Sequence, residues 1–301
     1  MSRTVSPSAG RPYGLARAYR VLAIPRSTVY AARARRLGPT PAQRRGPKTP
    51  WTDTALMERI RQVLAASPFV GEGYRKVWAR LRTPSTAAGE PIRTSKARVL
   101  RLMRVAALLA PTRAGHPHGP KAHDGTIIPE APDVMWGTDA TSCLTGEGHA
   151  TIFFAVDHFT AECVGIHAAR RGTRFEALEP LRQGVRASFG AYGEHVAAGL
   201  ALRHDHGSPF LSDLFQTELT FLGITSSPAF VREPQGNGCA ERFVRTRKEQ
   251  LLWLEPFATV EALRLAHLAF KDRSNAHWLI ERHAHRTPAS VRAAFAAPRA
   301  A

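Results

Sequence analysis

The spacing of apolar positions changes along the chain, and the change predicts its elements. Up to about residue 110 they recur every three or four positions, the period of an amphipathic helix. Leu15, Ala18, Tyr19 and Leu22 fall on one such face, Ala23-Ile24-Pro25 breaks the run, and Arg26-Ser27-Thr28-Val29-Tyr30 restarts it with Ser27 or Thr28 as cap. Thr52 caps the next helix, whose apolar side is Leu56, Ile60, Val63 and Leu64. In the stretch from Gly73 to Arg82, Tyr74, Val77, Trp78 and Leu81 face a core while Arg75, Lys76, Arg80 and Arg82 face outward. Thr94 to Leu109 gives a further helix through Val99, Leu102, Met103 and Ala106.

Beyond Pro132 the period shortens to that of strands. Val134–Ala140, Ala150–Asp157 and Cys163–Ala168 read as three strands joined in a meander by Thr145-Gly146-Glu147-Gly148 and the turn at 158–161. A helix from Phe175 to Phe189, a strand Leu200–His204, a helix from about Pro209 to Leu222 and a short strand near Ile224–Ser226 follow. The next helix runs from Asn237 to about Leu252, and one more from Thr259 to about Arg273 precedes an irregular basic end. Three hairpin strands followed by helix, strand, helix, strand, helix is the element order of an α/β ribonuclease-H-like core with a mixed five-stranded sheet. All-α modules, the first shaped like a helix-turn-helix, precede it. The expected divisions are a basic helix-turn-helix-like segment and linker (1–48), a second helical DNA-binding module (51–110), a Pro-, Gly- and His-rich linker (111–132), the catalytic core (133–255) and a helical extension (256–301). His116, His118 and His123 lie in that linker without ligand-type partners and are not read as a metal site.

Charge sharpens the division. Residues 1–124 hold 24 Lys and Arg against 5 Asp and Glu, whereas residues 125–301 hold 18 against 19. The whole excess lies in front, and the first fifty residues contain no acid. That is the electrostatic footprint of a polyanion-binding module beside a near-neutral one. The three cysteines are far apart without Cys-x-x-Cys spacing, so no disulfide framework or structural zinc is expected. No run approaches the roughly 18 apolar residues of a membrane span, and the expected compartment is a reducing cytoplasm.

Three acids stand out by context. Asp139 ends an extended run, Asp205 ends a second and leads into His206-Gly207-Ser208, and Glu241 follows Pro234-Gln235-Gly236-Asn237-Gly238 at a helix start. Thirty-five residues separate Asp205 from Glu241. In the expected fold the strands of Asp139 and Asp205 are neighbours and the Glu241 helix closes the third side. Three carboxylates so close repel unless a cation neutralises them, and two Mg2+ or Mn2+ ions about 4 Å apart would activate an attacking oxygen and stabilise a leaving one. Asp157 also ends an apolar strand but is assigned a turn role. Arg245 and Lys248 share the face of Glu241 and could position a DNA phosphate.

These motifs together resemble an insertion-sequence transposase of the retroviral-integrase (DDE) superfamily, of the type encoded by a second reading frame. The resemblance is carried by Trp136-x-x-Asp139-x-Thr141, Asp205-x-Gly207-Ser208-x-Phe210 and Gly236-Asn237-Gly238-x-x-Glu241 with Lys248 seven residues on. Gly73-Tyr74-Arg75-Lys76, Arg98–Met103 and Thr287-Pro288-Ala289 extend it over about residues 51–295. It implies a metal-binding catalytic triad of Asp139, Asp205 and Glu241 with two Mg2+ or Mn2+ ions, and Lys248 on the element's end. It implies nicking at the ends of an insertion element and 3′-hydroxyl strand transfer into target DNA. The expected partners are double-stranded DNA, at least one further subunit and, where one is encoded, an upstream-frame helix-turn-helix protein, in the bacterial nucleoid. Expected DNA contacts are Lys248, Arg245 and Asn237 near the carboxylates, with Arg26, Ser27, Thr28, Arg33, Arg75 and Lys76 in the basic front. The chain departs from the pattern at His204 and His206, which flank the second aspartate, and at Ser274-Asn275, where an aromatic-Asn pair is usual. With no histidine before His116, the zinc-binding front domain of retroviral integrases is not expected. The competing readings are a DNA-binding regulator with an inert core and a ribonuclease-H-like nuclease without strand transfer.

Overall fold

A computed structural model of the chain describes residues 4–36, 38, 50–83, 90–111, 127, 129–229 and 237–296. The chain divides into two compact units, Met1–Pro50 and Trp51–Ala301. Most of both expected linkers, with His116, His118 and His123, and the loop through Gly236 lie outside the described residues. No helix among the described residues is long and apolar enough to cross a membrane.

The first unit is the expected pair of short helices, α1 (Leu15–Val21) and α2 (Arg26–Arg36). The break falls at Ala23, in the left-handed region at φ 52°. Because α2 begins directly after Pro25, Ser27 and Thr28 lie inside its first turn and neither is the cap. None of α2 is buried, and Leu15, Val21 and Leu22 are exposed.

The second unit opens with α3 (Asp53–Ala66), α4 (Tyr74–Arg82) and α5 (Lys96–Val105). The hydroxyl of Thr52 accepts from the Ala55 amide and that of Ser95 from the Arg98 amide, satisfying N-terminal donors that the helices leave unpaired. Leu56, Ile60 and Val63 close over Val77 and Leu81 and over Val99, Leu102 and Met103 as one core.

Five strands follow: β1 (Met135–Thr145), β2 (Gly148–Asp157), β3 (Cys163–Ala169), β4 (Ala201–His204) and β5 (Thr225–Pro228), arranged β3-β2-β1-β4-β5. The first three pair antiparallel, while β4 pairs parallel to β1 and β5 parallel to β4. Alternation along β2 sends Phe153 and Ala155 to one face and Ile152, Phe154 and Val156 to the other, so the sheet is covered on both sides. On the Phe153 face lie α6 (Arg174–Phe189) and α7 (Asp213–Leu222). On the Phe154 face lie α8 (Gly238–Arg247) and α9 (Val260–His277). Gly165 of β3 is where α6 approaches closest: a Cβ there would stand 1.9 Å from the Pro180 carbonyl oxygen.

Three features depart from the sequence reading. The helix after Asn237 is not uniform, since α8 gives way to a π-helical turn at Lys248–Leu252. The end of the chain is not irregular: α10 (Pro288–Ala296) begins with proline at its first position, where no amide hydrogen is needed, and Thr287 Oγ1 accepts from Ser290 N. Lys76 and Arg80 do not point outward. Arg80 grips the buried Glu72 and donates to the His277 carbonyl, and the Lys76 amine lies over the Trp278 ring, 2.8 Å from its centroid. Burial pulls that amine down to about 7. The segment after α9 supplies these partners, and helical periodicity carries no sign of contacts so distant in sequence.

Asn275, in the last turns of α9, closes the edge of the sheet. Its Oδ1 accepts from Cys163 N and its Nδ2 donates to Cys163 O, both at 2.9 Å, as a neighbouring strand would. Asn275→Ala leaves both backbone groups without a partner and should cost about 1–3 kcal/mol. Urea unfolding checks this; an unchanged midpoint would show that the pairing contributes nothing.

Candidate active site

The parallel pairing of β1 with β4 runs from Met135↔Ala201 to Gly137↔Arg203. Two positions further on stand Asp139, within β1, and Asp205, just past the last residue of β4. Asp139 pairs with Phe154 across the antiparallel ladder, so its side chain points to the face that α8 covers. Glu241 lies in the first turn of α8. The three acids therefore face one another where β4 finishes alongside the first half of β1, and Asp139 feels the charge of both others.

Burial comes first in setting the Asp139 carboxyl, pushing it up to about 6, and the charges of Asp205 and Glu241 add to the rise. The Ala140 amide, donating to Asp139 Oδ1 at 2.7 Å, and the Arg247 guanidinium oppose it. Burial also raises Glu241. Asp205 is exposed and accepts from Gly207 N at 2.9 Å through its Oδ1. Among the described residues no three His, Cys, Asp or Glu stand close enough to share one ion. The donor chemistry nonetheless fits a hard divalent cation: the groups are all carboxylate oxygens, and their mutual repulsion is what such a cation would relieve.

The chain between β1 and α8 is held at Gly137. Asn237, 5% exposed at the head of α8, donates from Nδ2 to the Thr138 carbonyl at 3.1 Å. A Cβ on Gly137 would sit 2.5 Å from His158 Nε2 and 2.7 Å from Asn237 Oδ1, so only glycine fits there. Asn237, read from sequence as a DNA contact, is thus built into the join between the Asp139 strand and the Glu241 helix. Asp157 has the turn role expected of it: fully buried, it accepts from Thr160 N, Thr160 Oγ1 and Asp133 N. His204 is buried between Phe210 and Phe215 and bonds Ser226 Oγ, while His206 is exposed.

The cations fall into two groups. On α8, Arg242 and Arg245 are exposed, with Arg245 paired to Glu249, and in the π-helical turn that follows Lys248 is half-buried. In the first unit Arg26, Ser27, Thr28 and Arg33 are exposed. Arg75 pairs with Glu281, and Lys76 is taken up by Trp278. Arg247 escaped the sequence reading. Its guanidinium is fully buried, lies 4.8 Å from the centroid of the Phe154 ring, and none of its nitrogens has a hydrogen-bond partner among the described residues. Burial pulls it down to about 10. The spacing did hold a signal: Phe243, Arg247 and Leu251 stand four apart, and the two flanking residues are buried.

A mixed β3-β2-β1-β4-β5 sheet with helices on both faces is the ribonuclease-H-like fold of integrase catalytic cores. The chain is 30% identical over 207 residues to transposase InsD for insertion element IS2A/D/F/H/I/K of Escherichia coli, a match covering 68% of this chain and 67% of that one. Transposase InsD for insertion element IS2-9 of Escherichia coli (strain K12) matches at 30% over 207 residues, 68% and 66% of the two chains. The chain belongs to the family of IS2 InsD transposases. No sequence-family model matches it. Among solved structures, a chain of the simian T-cell lymphotropic virus intasome aligns at 17% identity over 69% of each chain with a TM-score of 0.44. The HTLV-2 integrase catalytic core domain in complex with magnesium aligns at 17% identity over 54% of this chain and 98% of that one, with a TM-score of 0.40.

An unpaired buried cation is costly, and an apolar side chain of similar size often stabilises by about 1–4 kcal/mol. Arg247→Met should therefore raise the melting temperature. A lower melting temperature would mean that the guanidinium makes attractions the fold depends on.

Proposed function

We propose that this transposase binds the ends of an insertion element, cleaves phosphodiesters there, and joins the resulting 3′-hydroxyl ends to target DNA. Asp139, Asp205 and Glu241 would hold two Mg2+ or Mn2+ ions. The observation that supports the reading is that Asp139, on the central strand, feels the charges of both Asp205 and Glu241 and is pushed up to about 6. When bound, the ions would supply Lewis-acid activation of an attacking oxygen and charge stabilisation of the leaving one.

The chain's own residues would do the rest. The β1–β4 register keeps Asp139 beside Asp205, and the Asn237 bond to Thr138 keeps the head of α8 against β1. Arg245 and Lys248, on the helix of Glu241, would engage a phosphate of the element's end. The acid-free first unit, with Arg26 and Arg33 exposed and Ser27 and Thr28 at the start of α2, would add helix-turn-helix-like contacts to the duplex. Joining two ends to one target calls for at least two chains on the DNA. An upstream-frame helix-turn-helix protein fits the same scheme, and the nucleoid is where the substrate lies.

Labelled element-end DNA, a plasmid target and Mg2+ or Mn2+ test the reading. Wild type should yield joined products that Asp205→Asn and Glu241→Gln abolish, with end binding retained. Near wild-type joining by either variant would contradict the assignment, and cleavage without joining by wild type would favour a nuclease. Removing the metal with a chelator should stop both steps. With metal limiting, the rate should climb across roughly pH 5 to 7 as the raised Asp139 carboxyl loses its proton and can take a cation. A flat profile would show that ionisation of Asp139 does not control metal capture. End binding should weaken steeply with salt, because released counterions drive it.

A further inference from the structure

The turn between β3 and α6 carries a cation cluster that the proposed reading leaves without a role. Arg170, Arg171 and Arg174 are all exposed within five residues, and Phe175 beside them is 52% exposed. Several other arginines around the sheet are tied to acids: Arg182 to Glu179 and Glu218, Arg245 to Glu249, Arg264 to Glu261, Arg292 to Asp133 and Glu162. Among the described residues none of the three is paired with a carboxylate. The acids closest in sequence and fold are engaged elsewhere. Glu147 accepts from Val260 N, and Glu176 bonds His167. Arg170 is steadied by the Glu147 carbonyl at 3.2 Å, and the Arg174 guanidinium sits 5.3 Å from the centroid of the Phe175 ring. Free charge of one sign beside an unpacked aromatic ring suits a nucleic acid better than a solvated protein surface.

The turn stands at the same end of the sheet as the carboxylates. Ala169 pairs with Thr151, and Thr151 with Ser142, which lies three residues beyond Asp139 on β1. At about 3.3 Å per residue and about 4.8 Å per strand, the turn begins roughly 15 Å from Asp139, within reach of one duplex crossing the site. It also belongs to the other side of the sheet. The turn leads into α6 on the Phe153 face, whereas Arg242 and Arg245 on α8 and Lys248 in the π-helical turn after it belong to the helix that covers the Phe154 face. Strand transfer brings two duplexes to one set of carboxylates, and a second cationic surface apart from the α8 cations gives the second duplex a place of its own.

We infer that Arg170, Arg171, Arg174 and Phe175 form the docking surface for target DNA. The arginines hold its phosphates, and Phe175 presses against a base step and opens it. This rests on the proposed transposase reading, in which the α8 cations take the element's end. An aromatic wedge of this kind favours flexible steps and a bent duplex, so it would bias where insertion occurs.

The test supplies a pre-cut element end and varies the plasmid target, comparing wild type with Phe175→Ala and with Arg170→Ala, Arg171→Ala and Arg174→Ala combined. The triple variant should need about tenfold more plasmid for half-maximal joining. Its plasmid-binding salt slope should be shallower by about one per arginine. Cleavage and binding of the element's end should match wild type. Phe175→Ala should redistribute insertion sites at unchanged end cleavage. An unchanged plasmid requirement and slope would overturn the inference, and a parallel loss of end binding would overturn the assignment to target. Wild type that neither cuts nor joins would count against the transposase reading instead, and the plasmid-binding slope would still decide the fate of the arginine turn.

Discussion

The parallel pairing of β1 with β4 is the constraint on which the rest depends. It joins residues 135–137 to residues 201–203, and everything at the candidate site is measured from it. A slip of one residue would turn Asp139 from the α8 face to the α6 face and part it from Glu241. Trp136, fully buried and packed beneath α6, opposes such a slip, because it would have to leave the core. The hydrophobic face of β1 and the placement of its acid are thus one and the same specification.

Charge is held at this site against its own repulsion. Burial and two neighbouring acids work against an ionised Asp139, while one amide and the buried Arg247 work for it. Bracing comes from outside the sheet. Asn275 pins α9 to the edge strand, and Arg292 on α10 reaches Asp133 just ahead of β1. Arg282 donates to the carbonyls of His158 and Phe159 beside the turn that Asp157 organises. Residues after 256 therefore act as a strap for the core that carries the acids.

Local pattern made much of this legible. The strands showed as alternating apolar runs, most helices showed by period and cap, and the order of elements pointed to the topology. The joint order and spacing of Asp139, Asp205 and Glu241 marked a candidate site and set Asp157 apart from them. What stayed hidden depends on distant contacts. Lys76 and Arg80 sit on the polar side of a helix, yet they meet Trp278, Glu72 and His277. Asn237 borders the acids but serves the backbone of β1. Arg247 is a charge at an apolar position, and type overruled spacing. Asn275 looked like a departure from a motif until its two bonds to Cys163 were in view.

In the proposed function Asp139, Asp205 and Glu241 act together to hold two divalent ions. Titrating the protein with Mn2+ and following the free ion by electron paramagnetic resonance tests it without any DNA chemistry. Mn2+ should bind tightly, and Asp139→Asn, Asp205→Asn and Glu241→Gln should each weaken binding, with folding unchanged by circular dichroism. Binding that stays the same in all three variants would contradict it.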